Sequence, residues 1–113
     1  MEKLSKKYLD VLEEQNWTVA DYTGDGRVDL ETESPAGEDF IICVEVKNLQ
    51  DSVKEYASNF DVDEHIEMWV EAKKNGVQGV PSARELVHDA EAISEMLENL
   101  AIALCKARNN KRK

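Results

Sequence analysis

The chain has 113 residues, enough for one domain that buries a core without metals or disulfides, and its hydrophobic content of 42% is ordinary for a soluble fold. It carries 24 acidic and 14 basic residues for a net charge of -10, a sign that repels a phosphate backbone, so no direct nucleic-acid binding is expected. No apolar run approaches the ~20 residues of a membrane span, and Met1-Glu2-Lys3-Leu4-Ser5-Lys6-Lys7 lacks the pattern of a secretory leader, so the expected location is cytoplasmic, away from membranes.

Leu4, Tyr8, Val11 and Leu12 recur at helical spacing and predict an amphipathic helix over residues 2–15, ending near Asn16. From Trp17 the period falls to two. Thr18, Ala20 and Tyr22 are assigned to the apolar side of a first strand, Val28, Leu30 and Thr32 to the matching side of a second, and FIICVEVK at 40–47 forms a third. The connectors GDG and SPAGED consist of turn residues. With Gly24-Asp25-Gly26 as the first connection and Gly26 left-handed, Asp21 stands directly opposite Asp29. With Pro35-Ala36-Gly37 as the second, Asp29 faces Cys43 and lies diagonal to Glu45.

Helices take over after Lys47, first a short one over about residues 50–59. The next opens at Asp61, which has capping-box spacing with Glu64, presents Val62, Ile66, Trp69, Val70 and Lys73 on one face, and stops at Gly76. GVQGVPS is a loop, and Ser82 with Glu85 opens the longest helix, which runs to about residue 109. Its apolar stripe is Leu86, Ala90, Ile93, Leu97, Leu100, Leu104 and Ala107, widened by Val87, Ser94 and Ala101. The favoured use of that stripe is intramolecular core; the alternative is the seam of a homodimer. The basic C-terminal tail, residues 106–113, complements the dipole of the helix end. The chain is therefore expected to be a single α+β domain over residues 1–113: an N-terminal helix, a three-stranded antiparallel β-meander, then two or three C-terminal helices packed on one sheet face.

Cys43 and Cys105 lie in apolar stretches without CxxC spacing and are expected as buried free thiols, with a disulfide between them as the less favoured pairing. DYTGDGRVDLET at 21–32 overlaps the calcium-loop pattern, but Thr23 and Thr32 occupy its third and twelfth ligand positions, and strands flank it where that motif requires helices. His65 is assigned to a helix start whose acids serve as caps, and His88, with Arg84, Glu91 and Glu95, to a charged solvated face.

Asp29 followed by Glu45-Val46-Lys47 resembles the PD-(D/E)xK nuclease motif, over residues 1–48 at most. The resemblance implies Asp29 and Glu45 as ligands for Mg or Mn and Lys47 as a catalytic residue. Val28 stands where the motif has its proline, nothing after Lys47 has a strand pattern, and the acidic body repels a nucleic-acid substrate. A second resemblance rests on PAGEDF at 35–40 and FDVDEHIEMWVEAKKNGVQGVPSARELVHDAEAI at 60–93. These stretches resemble a group of small acidic bacterial proteins from gut Firmicutes and their mobile elements. That resemblance implies no named activity; an origin on mobile elements favours an anti-defence or nucleic-acid-mimic role.

What remains is a strand face carrying Asp21, Asp29, Glu31 and Glu33. It reads either as a solvated face that resists aggregation or as a binding surface for a basic protein partner. The expected function is non-enzymatic binding through this acidic surface, without a cofactor. A metal-dependent nuclease using Asp29, Glu45 and Lys47 is the competing class.

Overall fold

Asn16 turns the chain from helix into sheet. It adopts φ +66, the left-handed conformation that Asn tolerates better than most residues, and the Trp17 N–H donates back to the Leu12 carbonyl at 2.8 Å. In this computed structural model, which describes residues 3–78 and 82–109, helix α1 spans Lys6–Glu14 and leads into β1 (Thr18–Tyr22), β2 (Arg27–Glu33) and β3 (Asp39–Glu45). Helices α2 (Leu49–Asn59), α3 (Val62–Lys74) and α4 (Ala83–Asn109) follow. The architecture is the expected α+β arrangement, with the sheet in the order β1-β2-β3 and both pairs antiparallel.

The expected register of β2 and β3 holds from end to end, with Asp29 opposite Cys43 and Arg27 opposite Glu45. In β1 it holds only near the turn. Tyr22 meets Val28 and Asp21 meets Asp29, but an irregularity between Val19 and Asp21 then places Val19 opposite Leu30. Val19, not Ala20 or Thr18, is therefore the half-buried residue there, and Trp17 goes into the core at 2% exposure. The extra residue is a β-bulge, which shifts the alternation so that large Val and Trp side chains face inward. The Trp17 indole N–H has no acceptor among the described residues, a cost its apolar burial must exceed.

One face of the sheet is covered. Val28, Leu30, Ile42 and Val44 meet Leu12 of α1, Leu49 and Val53 of α2, and Ile93, Leu97, Leu100 and Leu104 of α4 in one cluster. The α4 stripe is thus used inside the chain: Leu86, Ala90, Ile93, Leu97, Leu100 and Leu104 are all buried, while Val87 and Ile102 on its flanks are exposed. Each of those leucines would forgo about 2 kcal/mol if left in water, which is why the stripe fixes the fold.

Several local expectations are corrected. Helix α1 starts at Lys6 instead of residue 2, since Leu4 is already buried and its N–H donates to the Tyr22 hydroxyl at 3.2 Å in a non-helical lead. In α3 the half-buried face is Val62, His65, Ile66, Trp69 and Ala72; Val70 and Lys73 are exposed, because α3 packs on α4 and the β2–β3 turn at a different angle from the one apolarity suggests. Neither cysteine forms a disulfide and both are only half-buried: Cys43 points to the uncovered side of the sheet, and Cys105 borders a groove between α2 and α4. Asp61 caps α3 by accepting from the Glu64 N–H, and Ser82 and Glu85 form the reciprocal capping box at the start of α4, as expected. Residues 79–81 of the expected GVQGVPS loop and 110–113 of the basic tail lie outside the described residues. Among the described residues no helix is long and apolar enough to cross a membrane.

Candidate binding surface

Because side chains alternate along a strand, the residues between Val28, Leu30 and Thr32 project to the uncovered face. They are Arg27, Asp29, Glu31 and Glu33. The cross-strand register extends each into a row: Asp29 lies between Asp21 and Cys43, Glu31 between Thr18 and Ile41, while Arg27 meets Glu45 and Glu33 meets Asp39. Asp21, Glu33, Asp39 and Glu45 are exposed; Asp29 and Glu31, in the middle strand, are half-buried. All four residues of the expected binding surface therefore share one face. Asp21 against Asp29 and Glu33 against Asp39 are like-charge pairs, each costing a few tenths of a kcal/mol or more relative to neutral neighbours.

Arg27 is the cation within this set. Its hydrogen bond to the Cys43 sulfur, with the nearby carboxylates of Asp25 and Glu45, holds the guanidinium still more firmly in its charged form. At the β1–β2 turn, Thr23 donates to Asp25 and lowers that exposed carboxyl below its usual range, with smaller contributions from backbone N–H groups and Arg27.

Asp29 and Glu45, read against the nuclease motif, lie diagonally on this same face. Glu45 is tied to the start of α2: its carboxylate accepts from Asn48 Nδ2 at 3.1 Å, and its N–H donates to Ser52 Oγ at 3.3 Å. Lys47 is exposed beyond the end of β3. Among the described residues no group of three or more His, Cys, Asp or Glu side chains is placed to hold a metal ion.

Along the free side of β3 the face turns into a groove. One part, about 340 Å³, is lined by Arg27, Cys43 and Glu45 of the sheet and Ser52, Glu55 and Tyr56 of α2. The next, about 430 Å³, is lined by Phe40, Ile41, Phe60, Asp61, Glu64 and Met68 among others. Tyr56 and Asn59 border both parts, so the groove follows the strand. Its apolar residues are unusually open, with Ile41 at 54% and Met68 at 55% exposure.

The far end of β3 is anchored by polar groups that sequence reasoning missed. Glu38, in the β2–β3 turn, accepts from Trp69 Nε1 at 2.8 Å and lies 3.2 Å from His65 Nε2. The two side chains are only 8% (His65) and 13% (Glu38) exposed, and the His65 ring packs beside Phe40 and Phe60. Behind them, buried Asp89 of α4 accepts from Ser34 Oγ at 2.6 Å and from the Ala36 N–H at 2.9 Å. His65 is thus a paired interior group and not simply part of a helix start. The available signal was His65 and Trp69 one helical turn apart; their partner lies 27 residues from His65 in the chain. His88, with Arg84, Glu91 and Glu95, is exposed as expected.

Comparison with family models, with curated proteins and with solved structures finds no match to this chain.

Proposed function

We propose that this chain is a non-enzymatic binding protein whose open sheet face meets a basic protein partner. The observation that carries the reading is the row structure of that face: carboxylates from all three strands in fixed register, two pairs directly opposed, on a side that no helix covers among the described residues. Opposed carboxylates oppose folding, whereas a cationic partner placed over them recovers that energy and gains in association rate. Along one strand, side chains on the same face recur about every 7 Å, so the face presents regularly spaced negative charge to proteins that otherwise grip nucleic acid. In a mobile-element setting such a surface would occupy a nucleic-acid-binding protein of host defence.

The test is positional. An oligo-lysine peptide is titrated against the wild type, against Asp29→Asn/Glu31→Gln/Glu33→Gln, and against a control with the same charge change on α4, Glu91→Gln/Glu95→Gln/Glu98→Gln. The face variant is expected to lose about tenfold in affinity with a shallower salt dependence, and the control much less. Equal losses would show attraction to net charge alone and sink the reading. The single variant Asp29→Asn is expected to fold about 0.5 kcal/mol more stably, the mark of a cost kept for binding.

A further inference from the structure

The free edge of β3 has its own chemistry. The Val46 N–H donates inward to the Gly26 carbonyl at 2.9 Å, whereas the Glu45 N–H points outward to Ser52 Oγ. Backbone groups alternate sides along a strand, so the N–H and C=O groups of Cys43 and Ile41 point outward with those of Glu45. Among the described residues no further strand lies on that side. The outward groups open onto the groove between β3 and the α2–α3 corner, whose floor includes Phe40, Ile41, Phe60 and Met68 and whose lining carries Glu45, Glu55, Asp61 and Glu64.

An unpaired edge, an apolar floor and an acidic lining select one kind of occupant. We propose that the groove captures an extended segment of the basic partner, in which Lys or Arg alternates with apolar residues, by adding it as a strand beside β3. The main-chain hydrogen bonds at Ile41 and Cys43 supply affinity, and alternate side chains supply selectivity: apolar ones against Phe40, Phe60 and Met68, cationic ones toward Glu45, Glu55 and Glu64. Ser52 closes the Glu45 end of the edge, so the added strand registers from there toward Phe40. The inference rests on the reading of a basic partner and specifies how it is held.

The experiment uses the intact chain and a synthetic peptide of alternating Lys and Val, followed by backbone amide NMR. The expected result is saturable binding with the largest shifts at Ile41 and Cys43. N-methylation of the peptide on its pairing edge is expected to weaken binding at least about tenfold, as is Glu55→Lys/Glu64→Lys, whose exposed positions spare the fold. Binding that ignores N-methylation and the groove variant, yet falls with Asp29→Asn/Glu31→Gln/Glu33→Gln, overturns strand addition while leaving the acidic-face reading standing. Absence of binding overturns the groove, and the oligo-lysine titration then decides the face separately. Self-association of the free chain through Ile41 and Cys43, competed by the peptide, identifies a second copy as occupant and overturns the basic-partner proposal for this edge.

Discussion

The two turns of the sheet are built on different principles. The β1–β2 turn is local: Gly24 and Gly26 take φ of +89 and +86, Thr23 donates to Asp25, and the Thr23 N–H closes on the Arg27 carbonyl at 3.1 Å. The β2–β3 turn is tertiary. Gly37, with φ +86, and the Ser34 N–H to Glu38 carbonyl bond shape it, but Asp89 from α4 and His65 and Trp69 from α3 hold it in place. One turn could form in an isolated hairpin; the other is complete only when the helices have docked. This difference also locates rigidity, because the anchored turn fixes the Phe40 end of the β3 groove.

The comparison predicts a graded series. Asp89→Ala strips the acceptor from the Ser34 hydroxyl and the Ala36 amide and leaves a void beside them, so a loss of about 3 kcal/mol is expected in chemical denaturation. A loss under about 1 kcal/mol would show the turn to be as self-sufficient as its counterpart. Glu38→Ala leaves the Trp69 indole N–H and His65 without their shared carboxylate, at an expected cost of about 2 kcal/mol, and it should quicken amide exchange in α3 more than in β1. Gly26→Ala meets no steric neighbour, so only the left-handed backbone is penalised, by about 1 kcal/mol. Amide shifts should then stay within the first hairpin and at Val46, whose N–H donates to the Gly26 carbonyl.

The smallest effect concerns Asp25. Its carboxyl titrates below the usual range in the folded chain, mainly through the Thr23 hydroxyl. A lowered folded pKa means that the associated stability is present above the unfolded value and lost as pH falls through the folded one. Thr23→Val should move the NMR-observed titration of Asp25 back toward the ordinary carboxylate range, with little change in melting temperature at neutral pH. An unmoved titration would assign the shift to the backbone instead.

Much of this architecture was legible in the chain. The caps at Asp61 and Ser82, the stop at Asn16, the β2–β3 register and the α4 stripe were all expected, since each depends on residues a few positions apart or on a strict period. The opposition of Asp21 and Asp29 followed from turn length alone. Ala20 was misplaced because a bulge trades one residue of register for the burial of Val19 and Trp17, a choice made by the core. The α3 face was misassigned because His65 has a partner that lowers the cost of placing it inside, whereas Val70 lies exposed on another side of the helix.

By itself, then, the sequence determined the order of elements, their caps and turns, and the side of the sheet on which the acidic residues would gather, since these follow from spacing along the backbone. Only the tertiary structure decided that Glu38, His65, Trp69 and Asp89 would meet, and that the β3 edge would open onto a groove beside α2 and α3. Those features depend on how α3 and α4 settle over the sheet, a balance of many apolar contacts and a few buried hydrogen bonds that no local period encodes.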